Sequence, residues 1–301
     1  ESNILDLFMS ASTVHISIPS DVSAMTFFHA LASVGSLTVD SFALTPEQPS
    51  NNTPQEPAPT PSPTPTNEPA PTGRYVMLNA ITWGTNVLQN LPLANISEAT
   101  YFVLPVDAAG NLLGSNTTLE TKFVADVKAK GKKATISIAG GAQNVEHITS
   151  ALTTNRTALI NNLAAHLKQF NYDGVVLDIE NTSLSSAVLP EFINQLRAKI
   201  GPDPLIGMYV QPWQLTTVHA ELQQAANALT WLAPMIYDFS YTLNDLKALT
   251  LAWLPKVNGN RSKLLAGVAV NYPTGLSAEQ YRNVLEWIDM ERLGGVGIWE
   301  N

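Results

Sequence analysis

Residues 171–180 read NYDGVVLDIE. Val175, Leu177 and Ile179 form one alternating set, and Gly174, Val176, Asp178 and Glu180 form the other. The run is short and β-branched, and the turn-like Asn171-Tyr172-Asp173-Gly174 leads into it, so a buried strand is predicted. Strand side chains alternate between faces, which places Asp178 and Glu180 on the same side, about 7 Å apart along the strand. Two carboxylates on one face of an otherwise apolar strand are expensive to bury without a task. In a parallel α/β barrel the C-terminal ends of the strands are where catalytic groups gather.

On either side of this strand, from Arg74 onward, strand-like and helix-like runs alternate. Strands are predicted at Tyr75–Trp83, Thr100–Val106, Ala134–Ala139, Gly174–Glu180, Leu205–Gln211, Leu232–Asp238, Leu265–Val270 and Val296–Trp299. Amphipathic helices are predicted at Leu119–Lys130, Thr157–Phe170, Ala187–Ile200, Thr216–Leu229, Leu243–Leu254 and Ser277–Leu293. Leu159, Leu163, Leu167 and Phe170 have the spacing of one buried helical face. Ser277 followed by Gln280 makes a capping-box start for the last helix. Eight strands with intervening helices predict an α/β fold of the (β/α)8 TIM barrel type. A doubly wound open sheet is the alternative, but its Gly-rich phosphate loop is missing from the sequence. The sequence stops at Asn301, directly after the eighth strand, so the barrel is expected to lack its last helix.

DGVVLDIE resembles the D-x-x-D-x-D-x-E signature of glycoside hydrolase family 18, the chitinases and their relatives. Asp173, Asp178 and Glu180 fall on its first, third and fourth acidic positions, and Val176 stands where the family usually has Asp. Ser137-Ile-Ala-Gly-Gly141, ending the third strand, resembles the family's S-x-G-G motif. Adjacent glycines there let the backbone come close to the neighbouring strand's site. Met235-Ile-Tyr-Asp238, ending the sixth strand, resembles M-x-Y-D. Trp299 ends the eighth strand, where the family places a tryptophan under the sugar. An aromatic floor suits the apolar C–H face of a sugar ring.

The resemblance spans residues 74–301 and implies hydrolysis of β-1,4-linked N-acetylglucosamine polymers with retention of configuration. It implies Glu180 as general acid and base, with Asp178 and Tyr237 orienting the substrate's acetamido group. Tyr209, Gln211, Met235, Asp238, Trp299 and Trp83 are the expected substrate contacts. Alternation supports this chemistry independently. Carboxylates on one face of one strand cannot flank a glycosidic bond from opposite sides, as the ordinary two-carboxylate scheme requires. A subset of relatives, the bacterial spore and cell-wall N-acetylglucosaminidases, also lacks the Asp replaced by Val176, and Asp-Ile-Glu-Asn at 178–181 resembles theirs. Peptidoglycan is therefore the competing substrate, and a non-catalytic chitin-binding lectin on the same fold is the third alternative.

Upstream, residues 46–73 hold half of the chain's 20 prolines and almost no apolar side chains. Such a Pro/Thr/Ser stretch favours an extended, semi-rigid spacer. Linkers of this kind recur in secreted polysaccharide hydrolases, so a secreted, extracellular bacterial enzyme is expected. Residues 1–45 carry short β-like runs, among them Val14, Ile16 and Ile18 on one face. The run GSLTVDSFAL, from Gly35, looks like the closing strand of a carbohydrate-binding β-sandwich module. Some 45 residues are too few for a whole sandwich of about 100, so the tail of a module is expected. The start at Glu1, with neither Met nor signal peptide, reads as a mature or trimmed end.

Composition narrows the rest. The formal net charge is −9, which argues against nucleic acid or an anionic membrane as partner. There is no cysteine, which excludes disulfides and a thiol nucleophile. No apolar run is long enough for a membrane span. The five histidines are scattered without metal-ligand spacing, so neither metal nor other cofactor is expected. No G-x-S-x-G elbow or phosphate loop occurs. A monomer acting on chitin, chitooligosaccharide or peptidoglycan is the expectation.

Overall fold

The computed structural model describes residues 73–82, 91–180, 184–237, 242–270 and 276–300. The expected N-terminal segment and the linker up to residue 72 lie outside them. Eight strands are present: β1 (Tyr75–Ile81), β2 (Glu98–Leu104), β3 (Lys133–Ala139), β4 (Gly174–Asp178), β5 (Leu205–Val210), β6 (Trp231–Pro234), β7 (Leu265–Val270) and β8 (Gly295–Glu300). All neighbours pair in parallel, in the order β6-β5-β4-β3-β2-β1-β8-β7. An isolated parallel bridge between Leu232 and Leu264 links β6 to the start of β7, which brings the ring close to closure. This is the predicted TIM barrel.

Alternation along each strand divides the apolar residues between two cores. The outward set, including Val175, Leu177, Ile206 and Met208, packs under the helices. The inward set, including Met77, Val176, Tyr209, Trp231, Ala233 and Leu265, fills the barrel. Trp231, at the start of β6, occupies so much of the interior that a Cβ on Gly207 would stand 2.1 Å from its ring. Beside it, at the start of β2, Glu98 is wholly buried. Its carboxyl accepts from Tyr75 Oη at 2.7 Å, Thr135 Oγ1 at 2.6 Å and Trp231 Nε1 at 2.9 Å. Burial nevertheless pushes the Glu98 carboxyl above the usual range, against those hydrogen bonds. The N-terminal end of the barrel is thus packed shut, and any site must open at the other end.

The helices are α1 (Thr117–Ala129), α2 (Val145–Leu152), α3 (Arg156–Phe170), α4 (Val188–Ile200), α5 (Leu243–Ala252) and α6 (Ala278–Glu291). The predicted face of α3 is the buried one, with Leu159, Leu163, Leu167 and Phe170 all in the core. The capping box forms at α6: Ser277 Oγ accepts from Gln280 N, and Gln280 Oε1 accepts from Ser277 N. Two differences stand out. The eight-residue α2, capped by Asn144, was not expected. The helix expected at 216–229 is instead a chain of turns with 3-10 segments at Pro212–Gln214 and Leu222–Ala225.

Candidate active site

The C-terminal ends of β3, β4, β5, β6 and β8 surround a cavity of about 450 Å³. Its only lining carboxylates among the described residues are Asp178 and Glu180. Both lie on the inward face predicted by alternation. Asp178 ends β4 and is buried, and Glu180 follows it, partly open to solvent.

On the β3 side, the backbone closes in on these carboxylates. Gly140 N–H donates to the Asp178 carbonyl at 2.8 Å. A Cβ on Gly141 would stand 2.8 Å from Glu180 Oε1, so a side chain there would displace the carboxylate. Ala139, just before, has φ +76°, a left-handed backbone that costs a residue with a side chain about 1–2 kcal/mol. The strand end is therefore turned away sharply, and three small residues line the cavity where larger ones would fill it.

On the β5 side, Tyr209 and Gln211 project inward. Pro212 restricts Gln211 to an extended backbone, observed at φ −86° and ψ 130°, so the alternation of β5 continues one residue beyond its end. Gln211 Nε2 then donates to Glu180 Oε2 at 2.6 Å. Below it, Tyr209 Oη accepts from Asn79 Nδ2 at 2.5 Å and donates to Met77 Sδ at 3.2 Å. Burial pushes the Tyr209 phenol well up, and the charge of Asp178 adds to this, so it remains a neutral hydroxyl.

Met235 and Tyr237, just past β6, are buried side chains lining the same cavity. Trp299, on β8, packs edge-on against Phe102 with ring centroids 4.7 Å apart. The fold therefore gathers near the two carboxylates Tyr237, expected to orient the acetamido group, and Tyr209, Gln211, Met235 and Trp299 of the expected substrate contacts. Trp83 and Asp238 lie outside the described residues. Asp173 sits at the opposite end of β4, where it accepts from Ala134 N at 2.9 Å and lies 3.4 Å from Lys128 Nζ. The first acidic position of the signature is thus a staple between strands.

Val176 is fully buried in the inner apolar core, one strand repeat below Asp178. Ser137 pairs with it in register on β3, and its hydroxyl is buried without a hydrogen-bond partner. A carboxylate at position 176 would have that hydroxyl within its neighbourhood; valine leaves it unanswered.

Sequence reasoning missed Gln143. Its amide donates to the Val106 carbonyl and accepts from Val106 N, both at 2.8 Å, and so ties the loop after β3 to the loop after β2. Phe102 near the end of β2 and Pro105 just after it form a wall of the cavity. The alternation of β2 could have flagged Phe102, whereas no local pattern links Gln143 to Val106.

The sequence model for glycosyl hydrolases family 18 matches residues 79–280. The chain belongs to that family. Solved structures of chitinases and of a spore cortex-lytic enzyme share its fold. A chitinase from Rhizomucor miehei aligns over 76% of this chain and 95% of its own, with 15% identity and a TM-score of 0.65. A chitinase from Bacteroides thetaiotaomicron aligns over 75% and 89%, with 15% identity and a TM-score of 0.66. The spore cortex-lytic enzyme SleL of Bacillus cereus aligns over 75% and 70%, with 10% identity and a TM-score of 0.60. Identities this low speak to the fold alone. No match is found among curated protein sequences. No helix among the described residues is long and apolar enough to cross a membrane.

Proposed function

We propose that this family 18 protein hydrolyses β-1,4-linked N-acetylglucosamine glycans, chitin or chitooligosaccharides, with the substrate's own acetamido oxygen as nucleophile. The observation that carries this is the pair Asp178 and Glu180 on one face of one strand, with no third carboxylate among the described residues lining the cavity. A protein nucleophile would have to stand across the sugar from the acid, about 5–5.5 Å away. With both carboxylates on one wall, the attacking oxygen is better supplied by the sugar.

In the first step Glu180 gives its proton to the glycosidic oxygen as the C1–O bond breaks, and the acetamido oxygen closes on C1. Asp178 holds the acetamido N–H and offsets the positive charge that develops on the ring so formed. The Tyr237 hydroxyl donates to the acetyl oxygen. In the second step Glu180, now a carboxylate, takes a proton from water as that water attacks C1 and the C1–O bond to the acetamido oxygen breaks, restoring the acetamide. The configuration at C1 is retained. Trp299 gives the sugar an apolar face to lie on.

A second reading has support of its own. Val176 and the sequence Asp-Ile-Glu-Asn at 178–181 resemble the cell-wall branch, and one structural neighbour is described as spore cortex-lytic. The chemistry is the same and the glycan is peptidoglycan. A lectin on this fold is disfavoured by the retained Glu180 with its amide donor.

The test measures reducing ends released from soluble chitooligosaccharides, chitin and purified peptidoglycan, with Glu180→Gln alongside. Loss of a general acid lowers the rate roughly 10²–10⁴-fold. The variant should lose at least that much turnover and still bind the oligosaccharide. Turnover near the parent level on a substrate with a poor leaving group would remove Glu180 from its role.

A further inference from the structure

Glu180 must be protonated to start a turnover and ionised halfway through it. Its surroundings therefore have to suit both states. The parallel register that pairs Val176 with Gly207 and Leu177 with Met208 brings Gln211 beside Glu180, three residues further along each strand. On the other side, the bare backbone of Gly141 fills the space against Glu180 Oε1. The carboxyl is thus held between a glycine, which offers it no side chain, and an amide, which bonds it at 2.6 Å.

That amide has a second end. Gln211 Oε1 is buried, and no group among the described residues hydrogen-bonds it. A primary amide carries donors on nitrogen and an acceptor on oxygen, and half a turn about its last bond exchanges them. We propose that Gln211 is a positioning residue that serves Glu180 in both protonation states. It donates through Nε2 to the carboxylate, and it accepts through Oε1 from the carboxylic acid after the amide turns over. The turn exchanges the Nε2 bond to Glu180 for one to Oε1, and the oxygen gives up no partner among the described residues in doing so. An ammonium at this place could only donate and would favour the carboxylate alone. Pro212 completes the arrangement by keeping the Gln211 backbone extended, so that the side chain stays on the inner face.

This inference rests on Glu180 being the acid, and it moves Gln211 from substrate contact to partner of the acid. Among the described residues, the other titratable groups lining the cavity are Asp178 at the end of β4, Tyr209 from β5 and Tyr237 beyond β6, and none is altered by the variants below.

The test uses Gln211→Met, which keeps the length without hydrogen bonding, and Gln211→Glu, which keeps the shape and adds a charge. A hydrogen bond to a charged group is worth roughly a ten- to hundredfold change in rate. In Gln211→Met kcat should fall by about that factor, with KM on an acetylated oligosaccharide nearly unchanged. The bond to the carboxylate is charge-assisted and the stronger of the two, so without Gln211 the ionised Glu180 loses more and the acid holds its proton to higher pH. The alkaline limb of kcat/KM should therefore move up. In Gln211→Glu the two carboxyls share one proton, and the limb should move up further. If both folded variants keep the parent's alkaline limb and only KM rises, Gln211 is a substrate contact and the proposal is wrong. An inactive Glu180→Gln in the same assay would confine that failure to Gln211. An active Glu180→Gln would overturn the acid assignment and this inference with it.

Discussion

Glu98 and Asp178 are both buried carboxyls inside one barrel, and their neighbours give them different work. Asp178 shares its end of the barrel with Glu180, two glycines and a cavity. Glu98 sits at the closed end among Tyr75, Thr135 and Trp231, and burial holds its pKa up. A carboxyl raised in the folded state binds its proton more tightly folded than unfolded. Its contribution to stability is then lost as pH rises from the ordinary glutamate value of about 4.3 toward the raised value. Glu98→Gln removes that titration. Unfolding by urea at a series of pH values should show the variant gaining on the parent as pH rises above about 4.3. A stability difference that stays constant with pH would mean that Glu98 ionises in the fold as easily as in the unfolded chain. At this scale alternation made Asp178 and Glu180 legible, because period two needs only the strand's own sequence. It could not reveal that Gln211 bonds Glu180, that Gln143 bonds Val106, or that Ser137 faces Val176. Those contacts depend on the register between strands and on how loops meet.

The segment between β5 and β6 shows what an element's sequence decides and what packing decides. Residues 216–229 are rich in Ala, Leu and Gln, which favour a helix. One side of the segment is buried, with Val218, Leu222, Ala225 and Leu229 in the core. The hydrogen bonds, however, mostly run from residue i to i−3, as in Leu222 N to His219 O and Ala226 N to Gln223 O. The apolar content was readable, whereas the tighter winding that packs the segment against α4 was not. Helix α2 escaped for a different reason: eight residues hold too few apolar positions to show a period. His219 lies in the tightened segment, fully buried, with Nε2 3.1 Å from Gln214 Oε1 and its ring edge-on to Trp253. Burial, with the charge of Lys256 adding to it, pushes His219 down to about 3. The folded chain therefore keeps it neutral while the unfolded chain takes up a proton near pH 6.5. Stability from this group is present above about pH 6.5 and is lost as pH falls toward 3, by up to about 1.4 kcal/mol per pH unit. His219→Phe, which keeps a ring against Trp253, should flatten that acid slope in urea unfolding between pH 7 and 4. Parallel slopes for parent and variant would show that His219 titrates normally.

At the scale of the whole molecule, a barrel shut at one end by Trp231 and Glu98 has a cavity at the C-terminal ends of its strands. Several strand ends contribute to its lining, yet both lining carboxylates among the described residues come from the end of β4 and the residues just after it. That asymmetry bears on what the substrate must bring. If the sugar's acetamido oxygen is the nucleophile, cleavage requires an N-acetyl group on the residue at the bond that breaks. Chitosan oligomers without acetyl groups, and cellulose oligomers of equal length, offer the same linkage and no such oxygen. They should not be cut, while acetylated oligomers should release product first as the β-anomer. A thiazoline analogue of the cyclised intermediate should inhibit more tightly than the product sugar, because it resembles the species that Asp178 is placed to hold. Proton NMR of freshly released product, taken before mutarotation, reads the anomer directly. Comparable cleavage of acetylated and deacetylated oligomers, or early release of the α-anomer, would place the nucleophile outside the substrate. Asp178 would then need another function, and a carboxylate outside the described cavity lining would have to be found.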